Sequence, residues 1–401
     1  MPGCGYFNCS FLRFMAVFCT IFIVIPIFSL PTQAEQPVFT LQSRSAILME
    51  ASTGEIIFSK NPDEKLPPAS ITKIMTLLLI MEALEEGRAN LTDIVRASEN
   101  AMRMGGSQIY LEVGEEMSLE DLIKSIAIAS ANDSCVAVAE YLYGTEEAFV
   151  RKMNEKAKEL GLTNTYFYNT NGLPPDDPGV KGNYTSAKDV AIMSRELLKY
   201  PRVLEWTSTW IDYVRNGEFV LNNTNKLVRH YQGVDGLKTG YTNEAKYCLS
   251  ATGERNGLRF IAVVMGAPTS DIRFKEVSTL LSYGFNAFKA YEVVEKDQLV
   301  QKVRVSRGKV EEVGVIAGTD FKVPLRKGAD EKVTTEIVLR ERIIAPIKAG
   351  EILGEMVVKK DGTEIGRIPL KAQSDVERGT IFQIIFQMLK NLFLSLVNLF
   401  R

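Results

Sequence analysis

Hydrophobic and polar positions along the chain fall into distinct regimes. An apolar run, Phe14 to Leu30, comes first. From there to about Tyr291 two periods mix. Apolar runs at 46–50 and 55–60 flank Ala51-Ser52-Thr53-Gly54, and runs at 248–253 and 258–266 flank Asn256-Gly257. Both pairs predict β-hairpins, the second through the strongest short turn signal. Helical spacing predicts helices over 70–86, 119–129, 135–142, 146–160, 186–198 and 270–288, with Ser186 and Asp189 giving one of them a capping-box-like start. Strands at both ends with helices between them predict an α+β domain, one antiparallel sheet covered by helices.

Beyond Tyr291 the texture changes to short alternating runs at 303–305, 321–325, 335–339, 355–358 and 365–370, punctuated by Gly308, Gly318, Gly328, Gly350 and Asp361-Gly362. These predict a small all-β domain. A polar stretch, 373–379, then leads into IFQIIFQMLKNLFLSLVNLF. At about 100° per residue, Gln383, Gln387, Lys390, Asn391, Ser395 and Asn398 fall within an arc of roughly 140°. This C-terminal amphipathic helix is expected to lie on a membrane surface, since spanning would put its polar side chains in hydrocarbon; docking on the protein's own core is the other reading. The expected organisation is an export segment 1–34, a main domain 35–291, an all-β domain 292–372, a linker 373–380 and an anchor helix 381–401.

Composition narrows the class. The chain has 401 residues, 46% of them hydrophobic, and a formal net charge of −2. That balance, with no basic stripe interleaved with aromatics, excludes nucleic acid as a partner. Arg13 is the sole charge ahead of the first apolar run, and Thr32-Gln33-Ala34 supplies small residues after it. The pattern is that of a secretory signal peptide cut after Ala34, with an uncleaved anchor as the alternative; either places the remainder outside the cytoplasm. Cys4, Cys9 and Cys19 leave with that segment. Cys135 and Cys248 remain, in apolar surroundings that suit two buried thiols, although export permits a disulfide. His230 is the single histidine, so a zinc site built on several histidines is excluded, and no metal or other cofactor is expected.

The candidate chemistry begins at PPASITKIMT. Ser70 and Lys73 are three apart, on one face of a helix that Pro67-Pro68 introduces. Ten of the fourteen residues from Ile71 to Leu84 are apolar, on all sides of the helix, which predicts burial. Burial and the positive end of the helix dipole both disfavour an ammonium, so Lys73 is a candidate base for the Ser70 hydroxyl. The plainer reading is a lysine reaching the surface beside a capping serine. Two further pieces weigh against it. Ser130-Ala131-Asn132 offers a hydroxyl and an amide from a short connection between helices. Lys238-Thr239-Gly240, at the start of a strand, offers a permanently charged lysine, a hydroxyl and a position without a side chain, suited to an extended substrate with a carboxylate end.

The three motifs together resemble those of the penicillin-binding proteins and serine β-lactamases. The flanking text, LPPASITKIMT, MRMGGSQIYLEVGEEMSLEDLIKSIAIASANDS, LGLTNTYFYNTNGL and VDGLKTGYTNEAKYCLSATG, is similar to the low-molecular-mass D-alanyl-D-alanine carboxypeptidases, and APIKAGEILGEMVV resembles their C-terminal β domain. The resemblance implies a β-lactamase/transpeptidase-like fold on the extracytoplasmic face of a bacterial cytoplasmic membrane. Its substrate would be peptidoglycan stem peptides ending in D-Ala-D-Ala, with β-lactam antibiotics as covalent inhibitors. It implies Ser70 as nucleophile, Lys73 as base and Ser130 as proton relay. Asn132, Lys238, Thr239, Gly240 and Tyr241 would bind substrate, and the N–H groups of Ser70 and Tyr241 would form the oxyanion hole.

Other chemistries fit less well. A Ser-His-Asp triad with His230 and Asp235 lacks a G-x-S-x-G elbow. A class A β-lactamase needs a glutamate to direct its deacylating water, and YNTNGLPPDDPGVK has none; Asp176 and Asp177 there read as solvated turn residues. An endopeptidase of the same fold and a catalytically silent wall-binding protein remain as alternatives. GLPPDDPGVKGNYTS looks longer than the family's usual link at this point, which bears on the rim of the cleft and on substrate preference.

Overall fold

The protein's structure, a computed structural model, describes residues 40–387 and Leu389. The export segment expected over 1–34 and the rest of the expected anchor helix lie outside the described residues.

Strand β1 (Ser45–Glu50) sends Ile47 and Met49 into one apolar cluster and Ala46 and Leu48 into another. Both faces are thus buried, which is why its sequence reads as a continuous apolar run instead of an alternating one. It pairs with β2 (Ile56–Lys60), and the partners to come, β3 (Val234–Thr242), β4 (Lys246–Arg255) and β5 (Leu258–Ala267), complete a five-stranded antiparallel sheet of order β2-β1-β5-β4-β3. Strand β3 is therefore an edge. β5 repeats the alternation, with Ile261, Val263 and Met265 on one face and Phe260, Ala262 and Val264 on the other.

Helices cover both faces. On the first lie α1 (Lys73–Glu85), α2 (Leu119–Lys124), α3 (Asn132–Tyr143), α4 (Glu146–Glu159) and α5 (Ala187–Leu197). On the second, α6 (Ser270–Ala287) lays down Phe274, Val277, Leu280 and Leu281. α1 is buried nearly all round, as its composition predicted, with Leu77, Leu78, Leu79 and Ile80 all within 1% of complete burial.

Three local features differ from the sequence reading. The helix expected over 119–129 is α-helical only to Lys124, and Ser125–Ala129 widens into a π-helix; apolar spacing does not distinguish the two. α3 starts at Asn132, three residues early, because Asp133 is satisfied by the N–H groups of Ile109, Leu111 and Ser134 and so sits comfortably in a first turn. At α5 the Ser186 hydroxyl accepts from the Asp189 N–H, but the Asp189 carboxylate takes the Asn164 N–H and Thr165 hydroxyl, leaving half a capping box.

Past α6 the chain is all β: β6 (Phe288–Val294), β7 (Leu299–Arg304), β8 (Glu312–Ala317), β9 (Phe321–Arg326), β10 (Val333–Leu339), β11 (Ile352–Lys360) and β12 (Thr363–Ala372). β6, which runs through Tyr291, pairs with β9, and the others form a sheet of order β7-β8-β12-β11-β10 around Val315, Val358, Ile368 and Leu370. β6 and β8 escaped the sequence reading. This region is tied to the first by Lys360, whose Nζ lies 2.6 Å from Glu55 Oε2 at the β1–β2 turn. Residues 381–387 and Leu389 are helical. The Gln387 amide donates to the Gly308 carbonyl over 3.0 Å, while Phe382, Ile385 and Phe386 are exposed. Among the described residues no helix is long and apolar enough to cross a membrane.

Candidate active site

A 3-10 turn, Ala69–Thr72, carries Ser70 into α1. Lys73 follows at the head of the helix and has no exposed surface. Its Nζ donates to Ser70 Oγ at 2.9 Å, to Asn132 Oδ1 at 2.6 Å and to the Asn171 carbonyl at 2.9 Å. All three are neutral acceptors. Burial pulls the lysine down from 10.5 to about 8, against the weaker upward pull of Cys135 and Asp133. The plainer reading, a surface lysine, is thereby excluded.

Ser130 ends the π-helical turn in the left-handed conformation, with φ 66° and ψ 31°. Ser130 and Ala131 alone form the break before α3, so Ser130 and Asn132 sit on a sharper corner than an open connection would give. Asn132 also donates from Nδ2 to the Gly105 carbonyl. From the sheet, Lys238, Thr239 and Gly240 occupy the middle of edge strand β3 and not its start. Their approach to the serine is close: a β-carbon on Gly240 would stand 2.7 Å from the Pro68 carbonyl oxygen. Thr239 Oγ1 donates to Thr224 Oγ1 over 2.7 Å. Tyr241 is half exposed and its ring lies 4.5 Å from that of Tyr247.

Lys238 corrects the sequence reading. The motif alone suggests a permanent charge, whereas the side chain is buried, and burial first, then the charge of Lys73, hold it well below the usual lysine range. An incoming carboxylate would offset both effects.

The sequence missed several contributors. Arg273, on α6, reaches behind β3 with long contacts to the carbonyls of Gly240 and Cys248, and its Nε has no partner among the described residues. Burial lowers it to about 10. A basic residue interrupting the buried stripe of a helix was the available signal. Thr170 and Asn171 give their carbonyls to Thr76 and Lys73, and Gly172, at φ +90°, packs where a β-carbon would lie 1.8 Å from the Ala69 carbonyl oxygen. That contact is why NTNGL carries a glycine. Cys135 and Cys248 are free and buried. The His230 ring faces Trp210 and Asp235 is held by Arg259, so no serine triad assembles around them. Asp177 is exposed and accepts from the Gly179 N–H, as a turn residue would.

A buried lysine bonded to a half-buried serine, facing the open edge of a helix-covered antiparallel sheet, defines a serine acyl-transfer enzyme in which lysine, not histidine, stands as base. Comparison with known proteins narrows that class. The model of the D-alanyl-D-alanine carboxypeptidase family matches residues 31–269, and that of the penicillin-binding protein 5 C-terminal domain matches residues 288–378. The chain belongs to the D-alanyl-D-alanine carboxypeptidase family and is a serine-type peptidase. It is 46% identical over 341 residues to the D-alanyl-D-alanine carboxypeptidase DacF of Bacillus subtilis (strain 168), covering 84% of this chain and 86% of that one. To the carboxypeptidase DacC of Escherichia coli (strain K12) it is 35% identical, covering 86% of each. Among solved structures, a peptidoglycan synthesis regulatory factor (PBP3) from Streptococcus pneumoniae matches with TM-score 0.73 at 30% identity, over 84% of this chain and 100% of that one. Penicillin-binding protein 5 from Haemophilus influenzae matches with TM-score 0.67 at 31% identity, over 85% and 99%. A peptidoglycan substrate and penicillin binding fit this family.

Proposed function

We propose that the protein removes the terminal D-alanine from peptidoglycan stem peptides ending in D-Ala-D-Ala, through an acyl-enzyme on Ser70. The observation that carries this is the 2.9 Å contact between Ser70 Oγ and a lysine amine whose pKa lies near 8. Neutral Lys73 takes the hydroxyl proton as Oγ attacks the carbonyl between the two D-alanines. The N–H groups of Ser70 and Tyr241 stabilise the oxyanion. Ser130, with Lys238, passes a proton to the leaving amine, and the C–N bond breaks. Asn132 holds the substrate backbone, and Gly240 admits it to the strand edge. Lys238 and Thr239, backed by Arg273, receive the carboxylate. Water then cleaves the ester. β-Lactams acylate the same serine and leave slowly.

The test is D-alanine release from a diacyl-Lys-D-Ala-D-Ala peptide, beside Ser70→Ala. Release by the wild type and none by the variant is expected. A folded wild type that labels with penicillin but releases nothing would leave a silent wall-binding protein, and cleavage confined to cross-linked muropeptides an endopeptidase. For location, we infer peripheral attachment to the extracytoplasmic membrane face through the terminal helix, whose glutamine turns to the protein while its phenylalanines turn out.

A further inference from the structure

Next to the nucleophile a cleft of about 710 Å³ opens past the Thr242 end of β3, a volume in the usual range for small-molecule sites. It begins at Ala69 and Gly172 and does not include Lys238 or Thr239. If the substrate's carboxylate lies at Lys238 and its scissile carbonyl at Ser70, whatever precedes that carbonyl is directed toward Thr242. The cleft is thus where the upstream residue goes.

Its outer wall is the long segment 173–182, and that wall is fixed in place. Asn169 Nδ2 donates to the Leu173 carbonyl at one root. At the other, Asn183 accepts from the N–H groups of Tyr168 and Asn169 and donates to Thr72 Oγ1 beneath the serine's helix. Gly182 packs so closely on Pro175 that a β-carbon would come within 2.8 Å of its ring. Pro174, Pro175 and Pro178 remove backbone freedom between the roots.

Four charged side chains line this cleft: Lys65 and Lys181, Asp177 and Glu244. All are exposed, and among the described residues none is paired with an opposite charge; the Lys65 ammonium lies over the Tyr184 ring at 5.3 Å. A pocket presenting both signs without neutralising either is complementary to a ligand that carries both signs itself.

We propose that this cleft receives the side chain of the residue immediately before D-Ala-D-Ala. It selects one that ends in a free amino-acid head, with ammonium and carboxylate on one carbon, over one that ends in a bare amine. In chemical terms it reads a diamino diacid in preference to lysine. The proposal rests on the carboxypeptidase reading and adds a substrate class to it.

Two pentapeptides differing solely at this residue, diaminopimelate or lysine, separate the two claims. Each is measured for D-alanine release and for competition against labelling of Ser70 by a fluorescent penicillin, which reads binding without turnover. The diaminopimelyl peptide should be preferred by about tenfold in both. Amidating its distal carboxylate should remove most of that preference, and Lys181→Met and Glu244→Gln should each bring the ratio toward one. Release of D-alanine at equal rates from both peptides, with equal competition, overturns the cleft proposal and leaves the carboxypeptidase standing. Selective competition without any release overturns the carboxypeptidase and keeps the cleft. Variants that leave the preference at its wild-type value also overturn the assignment.

Discussion

Asn132 holds Lys73 by a 2.6 Å hydrogen bond from Nζ to Oδ1, and it does so as a neutral amide where a carboxylate would fit. The choice keeps the amine's pKa near 8. Acylation requires the unprotonated amine, so the second-order rate with a penicillin should rise with pH and reach half its plateau near pH 8. Asn132→Asp places a negative charge against Lys73 and should move that midpoint upward by about 1–3 units. A rate independent of pH between 6 and 10 in the wild type would remove Lys73 from the role of base.

Gly172 should be irreplaceable even by alanine. The added methyl meets the Ala69 carbonyl at 1.8 Å, and the left-handed φ adds about 1 kcal/mol. Relief requires moving this segment and the turn that carries Ser70 apart, so acylation should slow by about a hundredfold. Gly87 is the comparison: also left-handed, but with nothing within 4 Å. Gly87→Ala should pay the backbone term alone and acylate at the wild-type rate. Equal penicillin-labelling rates for the two variants would mean that the Gly172 contact does not position the serine.

Much of this was legible in the sequence because one cause served several residues. The apolar encirclement of Lys73 announced both a buried helix and a perturbed amine, and the motif spacing pointed to Asn132, which Lys73 bonds, and to β3, whose Gly240 packs against Pro68. What stayed hidden depends on contacts between segments distant in the chain. Gly172 is explained by the Ala69 carbonyl just over a hundred residues upstream, and Arg273 by the back of a strand it does not belong to. The burial of Lys238 was hidden for the same reason: composition shows a lysine on a strand, while its burial comes from packing. β6 was missed because its burial is irregular, and β8 because Gly314 and Ile316 on its more open face blur in sequence the alternation that its buried Val313, Val315 and Ala317 keep in the structure.

Cys135 lies five positions beyond Ser130, yet the site should be indifferent to thiol reagents. Its Sγ donates to the carbonyl of Ala131, the residue ahead of α3, it has no exposed surface, and burial pushes it up to about 12. The thiolate needed for attack on an alkylating agent is therefore scarce. Native protein treated with N-ethylmaleimide at pH 7.5 should keep its penicillin-labelling rate and show no added mass, with both Cys135 and Cys248 reacting once it is unfolded. Modification of Cys135 in the folded state would contradict the packing of α3.

Lys360 should matter to stability in a pH-dependent way. Burial raises the Glu55 carboxyl above its ordinary 4.5, and Lys360 opposes that rise. Lys360→Met leaves the burial unopposed. Around pH 7 the stranded carboxylate should cost about 1–3 kcal/mol. As the pH falls toward 4, Glu55 takes up a proton in the folded state and the deficit should shrink, whereas a packing defect would persist. Urea midpoints of variant and wild type at the two pH values decide between them, and Glu55→Gln combined with Lys360→Met should recover part of the loss at pH 7.

The proposed membrane attachment makes the sharpest demand on the terminal helix, because its polar contact and its apolar face point opposite ways. Gln387 spends its amide on the Gly308 carbonyl, which leaves Phe382 82% exposed and Phe386 69% exposed. Burying each ring in a bilayer interface is worth about 2 kcal/mol. The mature chain should therefore co-sediment with vesicles of phosphatidylethanolamine and phosphatidylglycerol. Phe382→Glu combined with Phe386→Glu should lower that partitioning by at least about a hundredfold, since charged groups then face the hydrocarbon. Retention of the double variant on vesicles would show that this face is not the one in contact with lipid, and would direct attention to the basic residues beside it, Arg307, Lys309 and Arg378, as the attachment.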